Sequence, residues 1–459
     1  MARNRVIYQS KALFIAPNST GVQTWPKNVE TATAAKSYSE ADIANENMEQ
    51  GTGLLYKLDR VQSCNFGFTI NRQDVNEFGK LARLGTIVNE PPTVNLDYSY
   101  YITDGLNERL MGFNFGGTTV GTAGAPTWDA GMALNAGALS GFLSETQGQN
   151  YYILTVNEGE DVIGSNTDST DSVIGIGNGF VTDYSFTASV GEIPTATVTV
   201  EGFNIKSDVG SGSDDYGHTG SSPAVYTASA TEAATRITGY NKYYKINPAQ
   251  LVTGSAQANA LRPGDIVLEM GGSTATDDTF VDAVNVGTTA INVQSFGFSI
   301  PLARTTLSRL GTLFGYNRVV EVPLSMDVTI NAMVNEMVDK DLFDVLCGNQ
   351  TTKNFTLTLN ECADVGSTPT PRMKFGFRGA ILTSENHTTD IGGNEMVDLT
   401  YNIQIGGAND ADNGLFMSGS YNPDYNADLA ASYPTGDMPI GGLKGIITGF
   451  YGIGTARNY

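Results

Sequence analysis

The sequence predicts a mainly β chain: two tandem antiparallel β-sandwich or barrel-like modules with short flanking helices. Three observations carry that expectation. Apolar and polar residues alternate with period two in several separate stretches. The composition is rich in Gly, with 53 residues, while charged residues reach only 16%, which suits short strands joined by turns. An ordered set of segments also occurs twice, and a repeat of this kind organises every other reading.

The alternation is clearest in four places. Val94, Leu96, Tyr98 and Tyr100 oppose Asn95, Asp97, Ser99 and Tyr101. Leu324, Met326, Val328 and Ile330 oppose Ser325, Asp327, Thr329 and Asn331. Ala196, Val198 and Val200 oppose Thr195, Thr197, Thr199 and Glu201, and Val397, Leu399, Tyr401 and Ile403 oppose Asp398, Thr400, Asn402 and Gln404. Strands with one apolar face form an antiparallel sheet that is half buried and half wet. Phe66, Phe68 and Ile70, and then Phe296, Phe298 and Ile300, supply a further apolar face in each half. Helices are expected over 74–84, where Val75, Phe78 and Ala82 approach helical spacing, and at 106–111 and 339–346, with Asp104 and Asp339 as caps.

The repeat is ordered. VQSCNFGFTI at 61–70 answers to VQSFGFSI at 293–300, and Arg-Leu-Gly follows at 83–85 and again at 309–311. TVNLDYSYYI from Thr93 answers to PLSMDVTINA from Pro323, so that Asp97 is expected over Asp327; Leu106, Leu110 and Gly112 answer to Leu342, Leu346 and Gly348. A strand pair at 180–205 has its counterpart at 380–403. The first module is therefore placed at 1–205 and the second at 225–406, joined by a Gly/Ser-rich linker at 206–224. Residues 407–459 form a glycine-rich tail suited to an arm laid on a neighbour. Residues 16–55, 115–175 and 250–290 fall outside the repeated pattern.

The formal charge is -22, from 26 basic and 48 acidic residues. A chain so acidic does not grip nucleic acid, because phosphate contact needs Lys and Arg. No basic residue shares the polar side of the four alternating strands, where Asp97, Glu201, Asp327 and Asp398 stand among Asn, Ser and Thr. Three cysteines, Cys64, Cys347 and Cys362, and the lack of an apolar leader or an 18-residue apolar run point to a chain made in the cytoplasm with no membrane span.

No catalytic constellation emerges, no cofactor is implied, and the chain is read as a non-enzyme. His218 and His387 lack the partners that a zinc site needs. Cys64 and Cys347 read as small core hydrophobes, and Cys362 has no accompanying base. Gly175, Gly177 and Gly179 miss the dinucleotide spacing and are read as a turn. The run at 409–414 lacks the ligands of a calcium loop, with Ala411 and Ser420 at ligand positions, so no metal is expected.

The segment 61–102 resembles tail tube proteins of tailed bacteriophages, and 180–205 resembles the second hairpin of that fold. The resemblance covers most of both modules and implies a virion tail protein whose stacked rings enclose a channel for viral DNA. It looks like the fused kind, in which three chains supply six modules, with six chains as the alternative, and with other tail proteins as partners. In that reading Asp97, Glu201, Asp327 and Asp398 line the channel with Asn95, Ser99, Thr197, Thr199, Ser325, Thr329, Thr400 and Asn402. DNA would pass without specific binding. The competing readings are a baseplate ring or capsid-surface protein, a carbohydrate-binding adhesive β-protein, and, more remotely, a glycosidase.

Overall fold

A computed structural model describes residues 11–16, 54–90, 92–113, 138–139, 149–155, 172–209, 245–246, 261–271, 293–307, 310, 317–334, 352–361, 370–389, 391, 393–406, 410 and 412–419. The linker beyond Val209, the tail beyond Gly419, the helix expected at 339–346, His218, Cys347 and Cys362 lie outside the described residues. In the first half the strands are β1 (Lys11–Ala16), β2 (Leu54–Lys57), β3 (Val61–Thr69), β4 (Arg72–Val75), β5 (Gly85–Val88) and β6 (Thr93–Tyr101). A short helix, α1 (Leu106–Met111), precedes β7 (Gln149–Thr155), β8 (Ser172–Ser189), β9 (Thr195–Gly202) and β10 (Asn204–Val209). The second half has β11 (Lys245–Ile246), β12 (Ile266–Gly271), β13 (Val293–Pro301), β14 (Arg304–Leu307), β15 (Asn317–Val320) and β16 (Ser325–Met333). It ends with β17 (Lys353–Glu361), β18 (Thr370–Thr388), β19 (Met396–Gln404) and β20 (Gly414–Gly419).

Eight strands form a continuous central sheet in the order β3-β6-β9-β8-β13-β16-β19-β18, antiparallel at every step. The two longest strands each serve two sheets. The N-terminal part of β8 leaves the central sheet and pairs with β7 and β10, a layer extended by β1, β2 and β11. The N-terminal part of β18 pairs likewise with β17 and β20, extended by β12. Each half is thus a two-layered β unit, and among the described residues the sheet does not close into a barrel.

The two halves share one topology. β1 and β3 to β10 correspond in order to β12 to β20, and three breaks in register recur at matching places. One lies between Val61 and Ser63, and again between Val293 and Ser295. A second lies between Gln149 and Tyr151, and again between Lys353 and Phe355. A third lies between Val181 and Asp183, and again between Leu382 and Ser384. Bulges fix where strands bend and pin their register, so this agreement defines the correspondence residue by residue. β10 and β20 carry the two units past residues 205 and 406, where the alternation placed their ends.

The apolar faces meet between the layers. In the first unit Leu96, Tyr98 and Tyr100 from the central sheet pack with Tyr151, Ile153 and Ile176 from the outer one. In the second, Phe296 and Phe298 meet Phe375 and Phe377, with ring centroids 5.2 to 5.6 Å apart in three of the four cross pairs. Phe186 of the first unit stacks on Phe298 at 5.3 Å and tilts against Phe375 at 5.1 Å, so the seam between units is itself aromatic core. Each fully buried side chain of this kind contributes about 1.5–3 kcal/mol.

Helix α1 stands where expected. Asp104 caps it by accepting the Leu106 N–H at 3.1 Å. Asn107 locks it to the chain before β3 by exchanging two 2.9 Å bonds with the Asp59 backbone. The helix expected over 74–84 is absent: those residues link β4 to β5 in a hairpin, closed by Leu84 N–H to Val75 C=O at 2.8 Å. Gly79 sits at φ 86° in that connection, a conformation natural to glycine. Gly175, Gly177 and Gly179 lie within β8 rather than in a turn. At Gly179 a Cβ would come within 2.8 Å of Val200 and 2.9 Å of Tyr151, so glycine permits the two layers to approach there.

Candidate functional site

One face of the central sheet is covered by the outer layers; the other carries the polar half of every alternating strand. Along β6, β9, β16 and β19 buried residues alternate with exposed or half-buried ones, as the sequence alternation requires. Asp97, Asp327 and Asp398 are exposed on the polar face, together with Asn95, Thr197, Ser325 and Thr329; Ser99, Thr199, Thr400 and Asn402 are half-buried there. Neighbouring strands tie these groups together. Asn402 donates to Asp327 at 2.7 Å, Asn331 donates to Asp398, and Ser63 and Ser99 share a 2.6 Å hydroxyl contact. Asp327 and Asp398 are thus held by amides on the facing strand, leaving a hydrated surface of fixed acceptors.

The structure adds one residue and modifies another. Asp183 of β8 also faces this side, accepting from Ser299 at 3.5 Å across the seam, and burial raises its pKa from the ordinary value. The residue alternates with Ser185 and Thr187 opposite Tyr184 and Phe186, but lies in β8, outside the four strands whose polar sides were read from the sequence. Glu201, by contrast, does not stand among uncharged neighbours alone. Arg318 of β15, only 3% exposed, donates to its carboxylate at 2.8 Å and to its backbone carbonyl at 2.7 Å. The expectation that no basic residue shares the polar side is corrected at this point: Arg318 arrives from a hairpin outside the four strands. Burial draws the Arg318 pKa down to about 10, with Glu201 opposing, so it remains a cation at neutral pH.

That contact belongs to a larger seat. The β14–β15 hairpin lies against the first unit, with the Arg318 guanidinium 4.1 Å from the Phe203 ring and Arg304 at 4.8 Å from Phe180. Such cation–ring contacts add to the ion pair where water is excluded. The corresponding hairpin of the first unit, β4–β5, is exposed except at the half-buried Thr86, and Phe78 and Leu81 at its tip are fully exposed.

Both ends of the central sheet are open edges among the described residues: β3 pairs with β6 alone, and the C-terminal half of β18 with β19 alone. The counterpart of that β18 segment, in β8, is paired on both sides, with β9 and β13. β3 is exposed nearly throughout, with Phe66 at 37% and Phe68 at 60%. An apolar open strand is an aggregation hazard unless a partner covers it.

The remaining candidates for chemistry stay bland. Cys64 packs beside the core and burial pushes its thiol up to about 11, so it is not a thiolate. His387 lies in β18, 3.1 Å from Glu385 and 3.1 Å from Glu395. No group of three or more metal-ligating side chains occurs among the described residues, and no described helix is long and apolar enough to cross a membrane. The sheet order brings Asp97, Glu201, Asp327 and Asp398 onto a single face of one continuous sheet. It does not superpose Asp97 on Asp327. Asp97 faces Thr199 and Asp327 faces Asn402, so the counterpart of Asp97 is Thr329 and that of Asp327 is Asn95. The bulges fix a register two residues from the one that the Asp match suggested.

No protein-family model matches the chain, and no curated protein matches it. Among solved structures, one described as "Crystal structure of Hcp protein" is 11% identical; the alignment covers 34% of this chain and 98% of that one, with a TM-score of 0.18. At that score the superposition establishes no equivalence on which a function could rest.

Proposed function

We propose that the chain is the subunit of a ring, stacked into a tail tube of a virion, and that the polar face of its central sheet lines a channel for DNA. The observation that carries the reading is the open-ended sheet: two like units already join edge to edge at β8 and β13, and the same two kinds of edge remain open at β3 and β18. A head-to-tail contact that repeats around an axis closes a ring and removes every edge. With two units per chain, three chains supply six. The outer layers and both apolar cores lie on one side of the central sheet, which leaves the polar side for the lumen.

The chemistry asked of a conduit is weak interaction. Each Lys or Arg offered to a duplex would release counterions and hold it. Carboxylates held by Asn and Ser keep the wall wet and repel phosphate. Electron microscopy of the purified protein tests the assembly: rings or hollow, cross-striated rods with threefold chain symmetry are expected. Monomers alone, or six chains per ring, would defeat the reading. Virions carrying Asp97→Lys with Asp327→Lys test the channel: normal tails with slowed DNA release at low salt are expected, and unchanged release counts against a luminal role.

A further inference from the structure

We infer that the joint between two copies repeats, residue for residue, the joint inside the chain. β3 of one copy lies antiparallel to the C-terminal half of β18 in the next, with Phe66 opposite His387 and Phe68 opposite Glu385. The β4–β5 hairpin of the first copy then seats over β18 and β19 of the second. The proposal rests on the ring reading and specifies its contact surface.

The register follows from the internal duplication. Within the chain, Phe298 lies opposite Phe186 and Ile300 opposite Tyr184. Phe298 pairs on its other side with Val328, as Phe66 does with Leu96, each at the same distance from the bulge; Phe66 is therefore its counterpart, and Phe68 that of Ile300. Phe186 faces Ala196, and His387 faces Val397, again at matching positions from a shared bulge, so His387 replaces Phe186 and Glu385 replaces Tyr184. The edge of β3 thus meets a strand of the same geometry as the one its counterpart already meets. On the polar face this register sets Gly67 against Asn386.

The hairpin obeys the same mapping. Arg304 pairs with Val320 as Arg72 does with Val88, and Thr306 with Arg318 as Asp74 does with Thr86. Arg72 therefore occupies the place of Arg304, and Thr86 the place of Arg318. Their seat on the neighbour is formed by the counterparts of Phe180, Glu201 and Phe203, namely Ile381, Asn402 and Gln404. Inside the chain the seat is an arginine–carboxylate pair over aromatic rings; between copies Arg72 and Thr86 meet only uncharged side chains, with no carboxylate in the place of Glu201. The second joint has the same shape without the charge pair, so it separates more readily than the joint within the chain.

Paired cysteines test the register in the full-length protein. Gly67→Cys with Asn386→Cys faces two side chains across the joint, and a Cβ at Gly67 meets nothing within 4 Å. Mild oxidation should convert most subunits to covalent oligomers whose ladder stops at the ring size. Gly67→Cys with Thr388→Cys, two residues out of register, and each single variant should give at most a tenth as much. A second test needs no disulfide. Thr86→Arg with Asn402→Glu and Asp327→Asn, the last because Asn95 faces Glu201 inside the chain where Asp327 faces Asn402, installs the internal ion pair between copies and should lower the concentration for half-assembly about tenfold or more, in a salt-sensitive manner. Rings that form without cross-linking in this register, or that link better through Thr388→Cys, would overturn the inference while the ring reading stands. A protein that stays monomeric at all concentrations overturns the ring reading and this contact with it.

Discussion

β3 and β13 have the same length, corresponding partners in β6 and β16, and a bulge at the same place, yet opposite environments. Phe298 and Ile300 are 3% and 0% exposed, whereas their counterparts Phe66 and Phe68 stand at 37% and 60%. The difference comes from the neighbour: β13 has β8 beside it, with Tyr184 and Phe186 completing an aromatic layer, while β3 has none among the described residues. The other edge differs in its chemistry. Where β8 carries Tyr184 and Phe186, β18 carries Glu385 and His387, groups that discourage indiscriminate strand addition at an open edge. The same strand geometry therefore serves as finished core in one place and as an unfilled contact in the other.

The largest expected effect sets those two strands directly against each other. Phe298→Ala should destabilise the unassembled subunit by about 3–5 kcal/mol, because it empties a closed aromatic core. Phe66→Ala should cost only about 1 kcal/mol there, its ring being already partly in water. Thermal unfolding of both variants at matched concentration decides the matter, and equal losses would break the comparison.

A second contrast is electrostatic. The first unit holds Glu108 fully buried between two tyrosines, Tyr100 donating at 2.7 Å and Tyr184 at 3.2 Å. Burial raises its pKa to about 7, partly offset by those hydrogen bonds, and Asp59 nearby is raised to about 6 by burial and by Asp104. A carboxyl with a raised folded-state pKa binds its proton more tightly in the folded chain. Its contribution is therefore fully present below the unfolded value near 4.5 and is lost as pH climbs through about 7. Glu108→Gln should remove up to about 3 kcal/mol of that loss, so the variant gains on the parent between pH 5 and 8. Urea unfolding across that range measures the gain; a constant difference between the two proteins would show that Glu108 does not titrate there.

The two hairpins give the third contrast. Arg318→Ala leaves Glu201 without its buried partner and should cost about 2 kcal/mol or more, after allowing for the partial exposure of Glu201. Arg72→Ala, on the exposed hairpin, should change the stability of the unassembled chain by under about 0.5 kcal/mol. Differential scanning calorimetry of the pair sharpens the distinction between an occupied seat and an empty one. The smallest effect belongs to the polar face: Asp97→Lys and Asp327→Lys should each shift stability by no more than about 0.5 kcal/mol, measured in the same way, since both sites are wet. A large loss at either would place that residue in a structural contact instead.

Much of the architecture was legible because period-two alternation with one buried face is a local property. Strands such as 93–101 and 396–404 carry it in their own residues, and the duplication shows in the order of short motifs. The short helix at 106–111 was legible through its cap. The hairpin at 72–88 was not, because Phe78 is fully exposed and Val75 partly so among the described residues, and helical spacing had no core to refer to. The two-residue offset between Asp97 and Asp327 was set by bulges whose position is a matter of pairing rather than of residue type.

The sequence by itself determined which residues alternate, that two units follow one another, and that their polar faces are acidic, since each depends only on neighbours along the chain. Tertiary structure alone decided that the two units share a single sheet through β8 and β13, and that Arg318 crosses to Glu201, 117 residues away. It also decided which of two like strands is covered. Those are statements about partners remote in the chain, and a strand's own residues specify its faces but not the strand that lies beside it.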